Sequence, residues 1–517
     1  MRKPIAALAL LALGCGAAAP HAVAAPHAAA SPWAAPWPRE AVWPREAVAP
    51  VGAVGARAAA SPPAAASPRA EATPVGRPGP RAAASGAAVP VREPGARASW
   101  RITRLGAEHE IEGYADRVSV LPGERFRLLV STTAPAFTAR AFRMGARPTQ
   151  VWRSGPLPGM RQPPAQLVED MVTAAHWKPS VTVDTTGWPE GAYLVRLDTS
   201  TGAQRYVPVT VRSASTRGRV VLVNAVTTWQ AYNGWGGRSL YQGPGGFAGR
   251  SRKITFDRPY DGTGARHFLA FERDAIAVAE RSGVPLAYLT SLDLRPGALD
   301  GARAVVSPGH DEYYSPGMRA ALTRARDRGV NLAFLGAGAV FWRIALHGRM
   351  IMCDKESRCL PWQASEPESA LVGQGFDCYP AEAAYMVRRP GHWIFEGTRG
   401  RRFPGLAGVE TDRVSPRSPS AVQVLARSPV DCGGRASEGT TTYYTAPSGA
   451  GVFAAGTTRW VCGMRGRRCG HGVTGAAAAF TRRATRNLLT RFAQGAAVRH
   501  GLGRSPARPP ARSRPAS

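Results

Sequence analysis

A chain of 517 residues, 44% of them hydrophobic, is long enough for two or three domains around a sizeable core. Its formal net charge of +31 invites a nucleic-acid reading, yet only four lysines (Lys3, Lys178, Lys253 and Lys355) stand among 66 basic residues. The arginines are scattered and follow the Ala/Gly/Pro skew of a GC-rich genome. No basic-aromatic module such as an RRM signature occurs, so nucleic-acid binding is set aside. Adhesion to an anionic cell-surface polymer is the partner class that the charge leaves open.

The N-terminus reads as an export signal over residues 1–24. Arg2 and Lys3 precede the apolar run 5–13, and Ala22-Val23-Ala24 offers a cleavage site. Cys15, after Ala12-Leu13-Gly14, is a rival lipidation site, although lipoprotein signals favour leucine where Ala12 stands. No later run has the length and apolarity of a membrane span, so a secreted or envelope-tethered protein is expected. Residues 25–98 are Ala/Pro-rich, with Trp37-Pro38-Arg39-Glu40-Ala41-Val42 repeated at once from Trp43, and predict a disordered linker. Residues 497–517 predict a disordered basic tail.

Residues 99–213 predict an immunoglobulin-like β-sandwich. Short alternating runs at 117–120, 125–130, 191–197 and 204–211 are separated by Gly/Pro turns. From 214 to 496 strands alternate with helices. Strands are expected at 219–224, 286–289, 303–307, 331–335 and 451–455, and helices at 266–282, 316–328 and about 480–494. This βαβ series implies a parallel sheet covered on both faces, making the whole a multidomain β plus α/β protein.

Two segments carry the chemistry. Ser307-Pro308-Gly309-His310-Asp311-Glu312-Tyr313-Tyr314 follows a buried strand and precedes a helix opened by Ser315-Pro316. The run from Asn224 to Tyr241 begins where the first strand of the α/β region ends. Both then lie on the rim formed by the strands' carboxyl ends, where open α/β sheets bind ligands. The plainer reading of the second run is a rigid Gly/aromatic loop packed on the β region. Six cysteines after Cys15 lie in the C-terminal half, and their even number suggests disulfides. Cys353–Cys359 and Cys462–Cys469 make local loops, leaving Cys378 with Cys432; zinc is disfavoured because no C-x-x-C spacing occurs.

In order along the chain, Asn224 to Tyr241, Thr255-Phe256-Asp257-Arg258-Pro259-Tyr260, Gly309 to Tyr313, Asn331 to Leu335 with Phe341-Trp342-Arg343, and Gly408 to Arg413 resemble one family. It is the C-terminal domain of the large (beta) subunit of N,N-dimethylformamidase. The resemblance implies a class I glutamine-amidotransferase-like (Rossmann-like) fold. It also implies one iron held by two tyrosines and a glutamate. The glutamate maps onto Glu312, one tyrosine onto Tyr232 and the other, by spacing, onto Tyr193. Phenolate and carboxylate are hard anionic donors that suit Fe(III). His310 and Asp311 would orient water or shuttle protons, and Glu410 would act as a supporting acid.

Each of these residues also has a plainer reading. Glu312 can serve the N-terminus of the next helix, Tyr193 can be a core tyrosine of the sandwich, His310 a satisfied turn residue and Glu410 a strand residue. Tyr241, Tyr313 and Tyr314 read as packing. Gly338 stands where the resemblance calls for a side-chain amide, and Ala345 where it calls for a polar residue. The export signal does not suit an intracellular solvent-degrading enzyme, so the substrate is left as an unnamed small amide. The expected function is metal-dependent hydrolysis of an amide C–N bond. Its rival is a non-catalytic envelope-binding protein that retains the fold, and a homo-oligomer stays open.

Overall fold

Alternation builds the first half. After strands β1 (Ile111–Ala115) and β2 (Ser119–Val120), strand β3 (Arg125–Thr132) turns Phe126 and Leu128 inward and Arg125 and Arg127 to solvent. Strands β4 (Ala136–Met144), β5 (Pro148–Arg153), β6 (Val181–Asp184), β7 (Gly191–Thr199) and β8 (Gln204–Val211) follow. They form a three-stranded sheet, β1-β3-β6, and a six-stranded sheet, β2-β8-β7-β4-β5 with Leu157–Pro158 beside β4. Phe126 and Val183 from the first sheet meet Val195, Leu197 and Val207 from the second in one core. The computed structural model describes residues 99–357, 359–362 and 366–496. The expected export signal, the Cys15 site, the 25–98 linker and the 497–517 tail lie outside them.

Aliphatic runs buried on both faces build the second half. Strands β9 (Val220–Asn224), β10 (Leu286–Thr290), β11 (Ala304–Ser307) and β12 (Asn331–Phe334) are followed by β13 (Gly375–Met386), β14 (Arg402–Arg413), β15 (Gln423–Cys432), β16 (Arg435–Thr445) and β17 (Gly451–Ala454). A seven-stranded sheet runs β10-β9-β11-β12-β17-β16-β15. Its first five strands are parallel and its last two antiparallel. Strands β13 and β14 make a separate two-stranded sheet, a long hairpin that the sequence patterning does not announce. The described residues are mostly β, 37% strand against 19% helix.

The helices are α1 (Val226–Ala231), α2 (Arg273–Ser282), α3 (Pro316–Asp327) and α4 (Gly475–Phe492). Helix α3 starts where Ser315 caps it, its hydroxyl accepting from the Met318 amide at 3.3 Å, with Pro316 in the first turn. It stops before Gly329, whose φ of 86° suits glycine. The helix expected over 266–282 is helical from 266, and it passes through a π-helical turn, Phe268–Glu272, before α2. The late helix starts earlier than its apolar pattern suggests, because the Thr474 hydroxyl caps the Ala477 amide at 3.3 Å. Among the described residues no helix is long and apolar enough to cross a membrane.

The chain leaves β9 for β10 on one side and returns to β11 on the other. The carboxyl ends of β9 and β11 therefore flank a topological switch point, where a crevice opens between loops that diverge to opposite faces. All six C-terminal cysteines pair as their spacing suggests: Cys353–Cys359, Cys378–Cys432 and Cys462–Cys469. Cys378–Cys432, with a sequence separation of 54, ties the β13–β14 hairpin to β15. Replacing both with serine is expected to lower stability by about 4 kcal/mol, read from denaturant unfolding midpoints.

Candidate metal centre

The two loops at the switch point are stitched together by threonines. The Thr228 hydroxyl in α1 accepts from the Glu312 amide at 3.0 Å, and the Thr227 hydroxyl donates to the Tyr313 carbonyl at 2.9 Å. The loop after α1 is gathered by Arg258, a fully buried guanidinium that donates to the carbonyls of Asn233 (2.9 Å) and Arg238 (3.0 Å). The stretch from the end of β9 into α1 is anchored by Glu272, which accepts from Asn224 Nδ2 (2.6 Å), the Ala225 amide (3.0 Å) and Trp229 Nε1 (2.6 Å). Burial nevertheless pushes the Glu272 carboxyl up to about 8, against the pull of those three donors.

Within this frame His310, Glu312 and Glu410 converge, all buried, with their donor atoms within 4.8 Å of one another. His310 Nε2 lies 3.1 Å from Glu410 Oε2 and 3.6 Å from Glu312 Oε2. Glu410 arrives on β14, its amide donating to the Thr458 hydroxyl at 3.2 Å. The Tyr232 hydroxyl donates to Glu312 Oε2 at 2.6 Å. Tyr241 stands beside it, its hydroxyl 3.0 Å from that of Tyr232 and 3.4 Å from Glu312 Oε2, and accepts from the Tyr313 hydroxyl at 2.6 Å. The ring of His267 lies 5.1 Å from that of Tyr232 and closes one wall.

The electrostatics of the group are those of a proton or cation trap. Burial would push the His310 imidazolium down, but Glu410 and Glu312 together outweigh it and raise it well above its ordinary value. Burial lifts Glu312, yet His310, the Tyr232 hydroxyl and the Lys355 ammonium hold it below the usual carboxylate range. Glu410, lifted by burial and by the neighbouring Glu312 charge, sits above that range. Both ring nitrogens of His310 and Glu410 Oε2 are buried without an aligned hydrogen bond, although the two side chains are within ion-pair range. Buried polar atoms left in that state, on two carboxylates and an imidazole, fit the donor set of a metal ion. Iron is one candidate among several that such donors accept.

Not every expected site residue is brought here. Asp311 alternates to the other side of the extended run, where its Oδ2 accepts from Tyr314 (2.6 Å) and Ser307 (3.1 Å). Burial pushes it up to about 6. Tyr193 lies in the sandwich core, stacked on Trp188 at 5.0 Å, with its hydroxyl donating to the Pro189 carbonyl at 2.5 Å. The adjacent Glu190 pairs with Arg219 (2.6 Å), just before the start of β9, so Tyr193 sits by the amino ends of the strands. The centre is at their carboxyl ends, which corrects the expectation that Tyr193 is a ligand. Tyr241 and Tyr313, read as packing, share the hydroxyl network instead. The signal for Tyr241 was its place in the same Gly-rich loop as Tyr232.

Gly338 explains one departure noted above. Its φ is +65°, its amide donates to Asp412 Oδ1 at 2.8 Å, and a Cβ there would stand 3.5 Å from both Glu312 Oε1 and Glu410 Oε2. Glycine thus leaves space between the two carboxylates. Gly338→Ala is expected to cost about 1–2 kcal/mol through its left-handed backbone, with Gly338→Asn better tolerated, as thermal unfolding would show.

Comparison with known proteins agrees with the motifs. The family model described as N,N-dimethylformamidase beta subunit-like, C-terminal, matches residues 138–472, beginning inside β4 and crossing from the β region into the α/β region. No match was found among curated proteins. Solved structures give slight likenesses. A ThuA-like protein from Bacteroides uniformis is 11% identical with a TM-score of 0.28, covering 54% of this chain and 93% of that one. Another from Parabacteroides merdae is 11% identical with a TM-score of 0.27, covering 57% and 93%. A cycloisomaltooligosaccharide glucanotransferase from Paenibacillus sp. is 14% identical with a TM-score of 0.14. That match covers 22% of this chain and only 15% of that one.

Proposed function

This chain belongs to the N,N-dimethylformamidase beta subunit-like family, and on that footing we propose that it is a metal-dependent hydrolase of the C–N bond of a small amide. The observation that carries the reading is the buried convergence of His310, Glu312 and Glu410 at the switch point, with the Tyr232 hydroxyl on Glu312. We read the β region as immunoglobulin-like and the α/β region as glutamine-amidotransferase-like. Three disulfides support an exported protein.

Glu312, Glu410 and His310 would hold the ion, with the Tyr232 phenol as a fourth donor; ferric iron is our first choice because these donors are mostly hard oxygens. The chemistry a bound ion supplies is polarisation of the amide carbonyl and acidification of water. Hydrolysis adds water across the C–N bond, so the acyl carbon gains an oxygen and the departing nitrogen gains a proton. With its Nε2, between the two carboxylates, given to the ion, His310 carries no proton there, and the proton that reaches the departing nitrogen is the one Glu410 takes from water. Glu410, the more basic carboxylate, can take a proton from the attacking water. Asp311 positions the turn through Tyr314 and Ser307. Small amides are the substrate class, because the site is walled by the rings of Tyr232, His267 and Phe271.

The test is metal analysis of the purified protein, followed by amine release from a panel of small amides. About one metal ion per chain with turnover that a chelator abolishes is expected. A protein that binds iron, zinc and manganese no better than its His310→Ala variant, and releases no amine, would leave a non-catalytic binding protein.

A further inference from the structure

After Cys353, which is disulfide-bonded to Cys359, Asp354 to Ser357 form a short strap. Its flanking acids face outward: Glu356 pairs with Arg250 at 2.9 Å and Asp354 with Arg252 at 3.7 Å. Lys355, between them, faces inward. Its Nζ stands 3.3 Å from the centroid of the Tyr241 ring, 4.3 Å from Trp342 and 5.5 Å from Tyr313. The rings make walls, Tyr241 perpendicular to Tyr313 at 90° and Tyr313 stacked with Trp342 at 23°. The nitrogen is buried and makes no hydrogen bond. Burial pulls the Lys355 ammonium well below its usual range, and the ring faces and the nearby Glu312 charge act against that pull, as aromatic cages do for alkylammonium ions.

Residue choice points the same way. Four of the 66 basic residues are lysine, so arginine is this chain's default cation. A planar guanidinium needs donors satisfied at its edges, whereas a compact ammonium fits a three-ring box. The cage also shares its members with the metal centre, since the Tyr241 hydroxyl is 3.4 Å from Glu312 Oε2.

We propose that Tyr241, Tyr313 and Trp342 form an alkylammonium subsite beside the metal centre, filled in this conformation by the chain's own Lys355. The disulfide strap is then a plug, and its displacement exposes the cage to a free amine. Identifying the natural ligand as the protonated amine released by C–N hydrolysis rests on the function proposed above; the subsite itself does not.

The probe is n-butylammonium, which reproduces the lysine side chain, with butan-1-ol as its neutral counterpart. In calorimetric titrations of the full disulfide-bonded chain, Lys355→Ala should bind butylammonium at least about tenfold more tightly than butan-1-ol. Lys355→Met, whose apolar chain refills the cage, should bind neither. Equal affinity for amine and alcohol, or equal behaviour of the two variants, would overturn the subsite. Wild-type protein supplies a check that needs no variant. In mass-mapped acetylation Lys355 should react at least about tenfold more slowly than the exposed Lys178, and added butylammonium should speed it. Equal rates for the two lysines would sink the plug. None of these readouts needs a bound metal or turnover, so they stand or fall apart from the hydrolase reading.

Discussion

Glu312→Gln is expected to remove metal and amide hydrolysis together while leaving the fold standing. Glu312 is the hub of the centre: Tyr232 donates to it at 2.6 Å, Tyr241 lies at 3.4 Å, and His310 at 3.6 Å. An amide keeps the shape but presents one neutral oxygen where two charged ones stood. Metal affinity should fall by at least about 100-fold, more than loss of a supporting hydrogen bond gives. Amine release should fall by at least about 1,000-fold, at the upper end of what one electrostatic group contributes. Elemental analysis and a fixed-time amine assay on the same preparation check both. Full metal content in the variant would show that the ion is held elsewhere.

Glu272→Ala is expected to be the most destabilising single change near the site, by about 3–5 kcal/mol. It leaves Asn224 Nδ2, the Ala225 amide and Trp229 Nε1 without the acceptor that now serves all three. Those groups open the loop that carries Tyr232, so the centre should loosen with it. The pH dependence has a definite sign. The folded carboxyl titrates at about 8 against a reference of 4.5, so the folded state binds the extra proton between those values. That stability is complete below about pH 4.5 and is lost as pH rises through about 8, by at most about 1.4 kcal/mol per unit. Glu272→Gln should flatten that part of the melting-temperature profile between pH 5 and 8.5. An unchanged slope would mean that Glu272 is ionised throughout.

Much of this site was legible because the relevant signals are local. Ser315-Pro316 fixes a helix start, the aliphatic runs fix parallel strands, and polar residues at two strand ends fix a rim. Glu312 and Tyr232 followed from motifs on that rim. Tyr193 did not belong with them, because spacing along a chain says nothing about which end of a sheet a strand tyrosine reaches. The β13–β14 hairpin was missed because its burial breaks rhythm at three register shifts, which hide the alternation. Lys355 was invisible for a different reason: a lone lysine between Asp354 and Glu356 reads as a solvated charge, and only folding shows three rings around it.

Glu410 reaches the centre on a hairpin outside the seven-stranded sheet, far along the chain from Tyr232 and Glu312. A growing polypeptide therefore carries an incomplete donor cluster for most of its synthesis, and the last carboxylate arrives only when that hairpin docks. On the function proposed above, ion uptake would be a late event, governed by the medium in which folding finishes rather than the one in which translation began. For a chain that matures across a membrane, the choice of metal then belongs to the far side.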